Sequence, residues 1–504
     1  MSGERSVVTV NEPSSRRGFL RATVGAGVAA GLWSGPGGAA RRNSATFQGS
    51  TSPGASWPMY QHDAANSGTA TTTGPKDPVE SAWTVETDGS LVTQPIVANG
   101  TVFQTSRDSR IYAVTAATGE EEWSVSTSAA LTHSPVVSDG IVAFPEHEET
   151  MFALSTGVGG GVWKTGIQSG VSELTFVGDG VSADNGIVFG QRNNNGVSVT
   201  EIELTSGEST WSHTEQFNHT DVNDVRIGSP TVAGDTLLFA YNVSGSARFS
   251  MYDDTFLVAV SMDTGERQWK QKFGGGGARI GVRPNADRDA VYVAQRGTVI
   301  EKDLSNGSNN WTFSNIDKIH VAPFSDSGQV YVLTNEPALH VIDPTIGTRR
   351  SKHDLAGNPA SPPVIADGVL YYGSTDNSVY AYELTSGEQL WQYETGNTVS
   401  AAPTVLDGTL YVASTDNTLY ALRESGDLSP GDVTGDGAPA QDLDEDGLYE
   451  DINGDGGFTI VDVQALFSNL DSDVVQNNVS KFDFNGDGEV DINDVQRLYA
   501  MLQE

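Results

Sequence analysis

A repeat of about 40 residues runs through most of the chain and constrains its fold more than any other feature. Trp83, Trp123 and Trp163 each close one unit and lie 40 residues apart. Later units close at Trp211, Trp269, Trp311 and Trp391, and Ser351 stands where the spacing assigns a further tryptophan. Each unit contains short runs with period-two alternation separated by turns such as Thr385–Glu388, and alternation of this kind is typical of strands. Four strands per period of this length predict a β-propeller blade, because a solenoid would need helical patterning.

The openings of the repeat fix the number of blades. Eight short β-branched runs, most of them after a proline, begin at Gln94, Ser134, Thr175, Ser229, Arg283, Ala322, Pro362 and Ala402. The last unit has no closing strand after Leu422, whereas Trp83–Glu86 stands before the first opening. Pairing this strand with the last unit would cover an exposed sheet edge and close the ring. The sequence therefore predicts an all-β, eight-bladed propeller over residues 57–426.

These repeats carry a family resemblance. Asn377–Tyr382 followed by Trp391, and Asp263–Glu266 followed by Trp269, resemble the repeat of pyrroloquinoline quinone (PQQ) type propellers. The opening segment Trp57–Gly68 is also similar to the beginning of that family. The resemblance implies the fold and leaves the cofactor open, since the family includes both quinoprotein dehydrogenases and non-enzymatic outer-membrane assembly lipoproteins.

Two twelve-residue acidic loops follow the ring, at 451–462 and 483–494. Each places oxygen donors at positions 1, 3, 5, 9 and 12, a carbonyl at position 7 and a glycine at position 6, which is the arrangement that surrounds one calcium ion. The predicted ligands are Asp451, Asn453, Asp455, Gly457, Thr459 and Asp462 in the first loop and Asp483, Asn485, Asp487, Glu489, Asp491 and Asp494 in the second. A third acidic turn, 442–450, is either an additional calcium site or an acidic lead-in to the first loop.

A helix is predicted after each loop. The apolar residues that we expect to form two half-cores, buried against each other, are Val463, Leu466, Phe467 and Leu470 and their counterparts Val495, Leu498, Tyr499 and Leu502. Both loops end on aspartate and have no clear preceding helix, so residues 427–504 resemble a type I dockerin. The resemblance implies a small α-helical, calcium-binding domain with a cohesin-like protein partner. Ile460–Val461 and Ile492–Asn493 stand where that family often has a Ser-Thr pair.

The N-terminus is similar to a twin-arginine signal peptide. Ser15–Arg21 contains paired arginines, and the apolar run Ala22–Trp33 precedes the small residues Gly38–Ala40. We therefore expect a signal over residues 1–40, a flexible lead-in over 41–56, and an extracellular or cell-surface protein. The apolar run is shorter than the ~20 residues that span a bilayer, so no transmembrane anchor is predicted.

Charge and cysteine content exclude several classes of function. The chain has 28 Lys and Arg against 65 Asp and Glu, a formal net charge of −37, and such a surface repels nucleic acid. An excess of acidic side chains that holds hydration in salt favours a halophilic protein. The chain has no cysteine, which excludes disulfides and a lipid-modified cysteine anchor.

The function is predicted from these features together. Surplus residues fall at 216–228 and 243–256, and extended loops there would offer a face for a glycan or protein ligand; their polar residues are His219, Asp221, Asp224, Tyr252, Asp253 and Asp254. The sequence favours a secreted or cell-surface, non-catalytic binding or assembly scaffold, docked through its calcium-dependent module. The alternative is a PQQ-dependent dehydrogenase acting on an alcohol or sugar. The vicinal disulfide of many such enzymes cannot form here, no catalytic residue is predicted, and the balance is against an enzyme.

Overall fold

The computed structural model describes residues 56–63, 67–70, 72–146, 150–167, 175–177, 186–193, 196–216, 222–247, 250–275, 281–285, 289–295, 297–314, 316, 324–326, 328–425, 433–435, 438–443, 448–476, 478–486 and 488–503. It divides the chain into two compact units, 1–74 with 83–421, and 75–82 with 422–504. The predicted signal peptide over 1–40 lies outside the described residues. The predicted domain boundary at 426–427 stays a prediction.

Strands dominate the described residues between 69 and 424. Two strands come before the first blade, β1 (Thr69–Ala70) and β2 (Val79–Glu86). Blade 1 contains β3 (Ile96–Ala98), β4 (Thr101–Ser106), β5 (Arg110–Thr115) and β6 (Glu121–Ser126), and blade 2 contains β7 (Val136–Ser138), β8 (Ile141–Glu146), β9 (Thr150–Ser155) and β10 (Gly161–Gly166). Blade 3 contains β11 (Thr175–Val177), β12 (Gly186–Asn193), β13 (Gly196–Glu203) and β14 (Ser209–Gln216), and blade 4 contains β15 (Val222–Ile227), β16 (Thr231–Ala233), β17 (Thr236–Ala247), β18 (Ser250–Ser261) and β19 (Arg267–Gly275).

The second half of the ring repeats this organisation. Blade 5 contains β20 (Gly281–Asn285), β21 (Ala290–Gln295), β22 (Thr298–Asp303) and β23 (Asn309–Ser314), and blade 6 contains β24 (Phe324–Asp326), β25 (Gln329–Thr334), β26 (Ala338–Ile342) and β27 (Arg349–Asp354). Blade 7 contains β28 (Val364–Ala366), β29 (Val369–Gly373), β30 (Ser378–Glu383) and β31 (Gln389–Glu394), and blade 8 contains β32 (Thr404–Leu406), β33 (Thr409–Ala413) and β34 (Thr418–Glu424). Within the described residues these strands form eight sheets, which confirms the predicted eight-bladed propeller.

The ring closes as the sequence predicts. β2 adds to blade 8 beside β34, so that the order of this sheet is β2-β34-β33-β32. The amide of Thr87, just after β2, donates to the carbonyl of Asn417 at 2.8 Å. A strand from the beginning of the chain thus covers an edge that would otherwise be open at its end.

Among the described residues, tryptophan indoles join five of the blades to the next one. The indole N–H of Trp163 donates to the carbonyl of Leu204 in blade 3 at 2.6 Å, and Trp83, Trp123, Trp269 and Trp311 reach the corresponding turns at 2.7–3.0 Å. Gly207, with a φ of +70°, lies against the Trp163 ring, and a Cβ there would be 2.6 Å from it. The glycine of the repeat is therefore needed both for its backbone angle and for this close approach.

An N-terminal clasp, the described residues between 57 and 74, lies along the inner strands near the ring's seam. The backbones of Trp57 and Val97 in β3 exchange two hydrogen bonds of 2.7 and 3.0 Å, and the amide of Val137 in β7 donates to the carbonyl of Pro58 at 2.8 Å. β1 pairs in parallel with β28 of blade 7. The clasp therefore contacts blades 1 and 2 on one side of blade 8, where the ring closes, and blade 7 on the other side.

Where the structure describes them, at 222–227, 243–247 and 250–256, the surplus residues of blade 4 form strands rather than the loops expected from the sequence. β17 and β18 have 12 residues each and pair along their whole length, and β15 pairs with the distal half of β17. Continuous pairing satisfies the backbone groups that a long loop would leave to water. Asp224 lies in β15, and Tyr252, Asp253 and Asp254 lie in β18, whereas His219 and Asp221 lie outside the described residues.

The C-terminal unit contains α1 (Ile460–Ser468), α2 (Asp473–Gln476), α3 (Val479–Phe482) and α4 (Ile492–Met501) among its described residues. α1 contacts α4, and both bury residues in one apolar core. Within the described part of the chain, no helix is both long and apolar enough to cross a membrane.

Candidate functional site

The first acidic loop is folded around the carboxylate of Asp451. The amide of Asp455 donates to Oδ1 of Asp451 at 3.1 Å and that of Gly456 to Oδ2 at 2.7 Å. These bonds require a tight turn, which Gly454 and Gly456 permit with φ angles of +64° and +88°. The sequence thereby places the side chain of position 1 at the centre of its own loop.

The last residue of the loop, Asp462, comes from the first turn of α1. Its carboxylate accepts from the amide of Asn453 at 3.1 Å and from the amide of Thr459 at 2.8 Å. The hydroxyl of Thr459 accepts from the amide of Val461 and so caps α1. The end of the loop and the first turn of the helix are therefore held by the same hydrogen bonds. Asp462 and Asp451 are both fully buried.

The second loop reproduces this geometry 32 residues later. Asp483 accepts from the amides of Gly486 and Gly488, each at 2.8 Å. Asp494, from the first turn of α4, accepts from the amide of Asn485 at 3.1 Å and that of Asp491 at 2.8 Å. The two glycines have φ angles of +76° and +88°, close to their counterparts. Of the predicted ligands, Asp487 lies outside the described residues.

The carboxylates of the first loop are close together and have no positively charged group among the hydrogen-bond donors described above. Burial raises the pKa of Asp451, and the nearby carboxylates of Asp462 and Asp455 raise it further, against hydrogen bonds from the loop amides that lower it. The donors described above are neutral amides. Buried carboxylates in such surroundings are costly unless a cation compensates them.

The donor set of the loop fits a hard cation such as calcium. Within the described residues, no three Asp, Glu or His side chains converge closely enough to hold a metal ion by themselves. Coordination would therefore also need the side-chain amide oxygen of Asn453, the hydroxyl oxygen of Thr459 and the backbone carbonyl oxygen of Gly457. These are oxygen ligands of the kind that calcium takes.

The third acidic turn is described in part. Glu450 is 4% exposed and accepts from the amide of Leu443 at 3.3 Å. Residues 444–447 lie outside the described residues, so a calcium site at 442–450 stays a prediction.

Both helices expose apolar side chains at equivalent positions. Ile460 and Phe467 on α1 are 45% and 59% exposed, and Ile492 and Tyr499 on α4 are 43% and 48% exposed. The expectation that Phe467 and Tyr499 belong to the core was therefore wrong. Residues outside α1 and α4 complete the core in their place. Its buried members include Tyr449, Ile452, Val475, Phe482, Phe484 and Val490.

The sequence reasoning missed an ionic network between blades 3 and 4. The carboxylate of Glu215 on β14 is 4% exposed and accepts from His213 at 3.0 Å, Arg267 at 2.9 Å and Lys270 at 2.7 Å. Burial raises the pKa of Glu215, but these hydrogen bonds outweigh it and lower the pKa to about 2. The only sequence feature that could have indicated this network is the position of His213 and Glu215, which follow Trp211 by two and four residues.

Sequence comparison identifies families for both units. A family model described as outer membrane protein assembly factor BamB (PQQ_2) matches residues 77–313 and 335–429, more than half of the chain. A model of the dockerin type I domain matches residues 449–503. No curated protein matches the chain significantly.

Solved structures share the fold at low identity. BamB from Moraxella catarrhalis is 16% identical with a TM-score of 0.52, over 68% of this chain and 99% of that one. A quinohemoprotein alcohol dehydrogenase from Comamonas testosteroni is 14% identical with a TM-score of 0.58, over 89% and 95%. A europium-containing methanol dehydrogenase is 14% identical with a TM-score of 0.57, over 72% and 90%. These likenesses establish the propeller architecture.

Proposed function

Because this chain belongs to the PQQ_2 family of propeller repeats, described as outer membrane protein assembly factor BamB, and carries a dockerin type I domain, we propose that it is a secreted or cell-surface, non-catalytic scaffold. In this proposal the propeller binds or assembles other molecules, and the C-terminal module docks the protein on a partner. Export follows the twin-arginine route.

The observation that carries the proposal is the duplication within the C-terminal module. In each loop the amides at positions 3 and 9 donate to the buried aspartate at position 12, and the amide at position 6 donates to the aspartate at position 1. A dockerin type I domain implies calcium binding, and we assign the ion in each loop to positions 1, 3, 5, 7, 9 and 12. When bound, calcium supplies the positive charge that these carboxylates require. The loop residues then fix the first turns of α1 and α4.

The partner is proposed to bind the exposed apolar residues of these helices. A dockerin domain implies a cohesin-type protein, and Ile460 with Phe467 and Ile492 with Tyr499 offer it two equivalent apolar pairs. Clustered apolar residues that no core requires are typical of protein-binding surfaces. Ile460 stands where the family often has serine, so the partner surface is expected to be more apolar than that of a typical cohesin.

The alternative proposal is a PQQ-dependent dehydrogenase. It is favoured by the folds of the methanol and alcohol dehydrogenases described above. The scaffold proposal has the better support, because the family match includes an assembly factor and the chain has no cysteine for the vicinal disulfide of many quinoproteins.

Docking can be tested with purified protein and a panel of immobilised cohesin domains. We expect binding that requires calcium and that the double variant Ile460→Asp with Ile492→Asp abolishes. Val158→Asp is the matched control, since Val158 is a 74% exposed residue of the propeller. Equal loss in the control, or binding independent of calcium, would refute the docking proposal. Addition of PQQ and calcium, followed by a quinone absorption band and oxidation of an alcohol or sugar, would refute the non-catalytic one.

A further inference from the structure

A cavity of about 260 Å³ opens between the outer strand of blade 2 and the sheet of blade 3. We propose that this cavity is a binding site for a small, neutral, polyhydroxylated ligand of monosaccharide size. The site lies in the wall of the propeller and is built from the propeller's own residues, so it is a further function beyond docking.

The cavity exists because this joint lacks the large side chains found at the next one. Aligned on the tryptophans that close blades 3 and 4, Ser209 corresponds to Arg267, because each precedes its tryptophan by two residues. Ser212 corresponds in the same way to Lys270. Gln191 corresponds to Tyr241, since each lies five residues after the start of the strand that holds it, β12 in blade 3 and β17 in blade 4.

Blade 2 also has smaller or uncharged side chains at its side of this joint. Thr165 and Ile167 follow Trp163 by two and four residues, where His213 and Glu215 follow Trp211. Blade 2 therefore has a hydroxyl and an apolar side chain where blade 3 has an imidazole and a carboxylate.

Between blades 3 and 4 the equivalent space is filled by the ionic network. Lys270 donates to Glu215 at 2.7 Å and also to the Tyr241 hydroxyl at 2.7 Å, and its ammonium lies 4.5 Å from the centre of the Phe256 ring. Between blades 2 and 3 no such bridge can form, because both of its ends are replaced. The result is an opening between blades 2 and 3 at the position that the ionic network fills between blades 3 and 4.

The lining has two chemical faces. Phe189 and Ile202 are 1% and 3% exposed and provide an apolar floor. Gln191 and Thr200 stand beside it, with the amide of Gln191 donating to the Thr200 hydroxyl at 3.1 Å. The side chain of Ser209 adds a further hydroxyl at the rim.

This combination selects the class of ligand. Among the described lining residues, none carries an ionisable side chain, so a charged ligand would lose its hydration without a counter-charge. A sugar ring has an apolar face for Phe189 and hydroxyls that can exchange hydrogen bonds with Thr165, Thr200 and Gln191. A neutral monosaccharide therefore suits both faces of the lining.

The test uses the full-length protein with calcium and saturation-transfer difference NMR. The probes are D-glucose, D-galactose and N-acetyl-D-glucosamine, with D-glucuronate as the charged counterpart. Two variants copy the filled joint, Ser209→Arg and Gln191→Tyr. Ser206→Arg, at an exposed position of the neighbouring turn, is the matched control for the first of them.

We expect at least one neutral sugar to bind, and we expect Ser209→Arg and Gln191→Tyr to weaken it about tenfold or more, while Ser206→Arg leaves it unchanged. Ser209 is exposed, so its arginine variant is expected to fold, and circular dichroism with a melting curve checks this for each variant. The proposal is overturned if none of the neutral sugars binds, if Ser209→Arg binds as the unaltered protein does, or if glucuronate binds as tightly as the neutral sugars.

Discussion

Removal of calcium should unfold the C-terminal module and leave the propeller intact. Without a cation, the buried carboxylates of Asp451 and Asp462 face each other across the first loop, and Asp494 is buried in the same way in the second. The turns that hold the beginnings of α1 and α4 would then open, because the buried carboxylates of Asp451, Asp462 and Asp494 can reach water only by leaving their loops. We expect chelation, or Asp451→Ala with Asp483→Ala, to have this effect.

The size of the effect follows from the two sites. A ligand that binds only the folded state stabilises it by about 2.7 kcal/mol when its concentration is a hundred times its Kd. Two loops together would then contribute about 5 kcal/mol, which is comparable with the whole stability of a small domain. The module is therefore expected to pass from mostly folded to mostly unfolded on chelation.

Hydrogen exchange followed by mass spectrometry can measure this separately for the helices and for the blades. We expect the amides of α1 and α4 to lose protection without calcium, while those of the central strands of blades 1 and 8 keep it. Asp471→Ala is the control, because it removes an exposed carboxylate between the loops. Equal protection of the helices with and without calcium would show that the loops do not depend on the ion.

Three further predictions concern export, ring closure and pH. Changing Arg16 and Arg17 to lysine should keep the protein inside the cell, and unchanged secretion would rule out the twin-arginine signal. Deleting Val79–Glu86 exposes the edge of β34, so the melting temperature should fall and light scattering should detect association; an unchanged melting curve would mean that the ring closes elsewhere. Since the pKa of Glu215 falls from 4.5 to about 2 on folding, its stabilisation is present above pH 4.5 and lost as the pH drops towards 2, and Glu215→Gln should reduce this dependence in melts across that range.

The architecture was predictable because the repeat places the same chemistry at the same register in successive blades. Trp163 needs a neighbouring turn to cover it, and Gly207 supplies one, so a 40-residue spacing determines both strand order and blade contacts. The ligand positions of the acidic loops were predictable for a similar reason, since Gly456 and Gly488 allow the positive φ angle of the turn that brings position 1 inward.

What the sequence could not give depended on contacts between distant segments. Helical periodicity placed Phe467 with Val463 and Leu466, but periodicity does not say how wide a face the core will cover. Glu215 and Lys270 are 55 residues apart, and only the packing of two blades brings them together. The sequence predicts loops where blade 4 has its extended hairpin, because the distal residues of that hairpin alternate only weakly between apolar and polar.

Contacts between the first and the last blade, and the closing strand, determine when the ring can form during synthesis. The side chain of Gln94 donates to the carbonyl of Pro403, a partner 309 residues later, and β2 waits for β34, which ends at Glu424. At about 5–20 residues per second, the ribosome needs roughly 15–60 seconds to make the chain between such partners. During this time the blades already made cannot close into a ring, and the edges of their sheets stay unpaired. Once closed, the same ring resists unfolding from either end, because its N-terminal segment is held between blades made at opposite ends of translation.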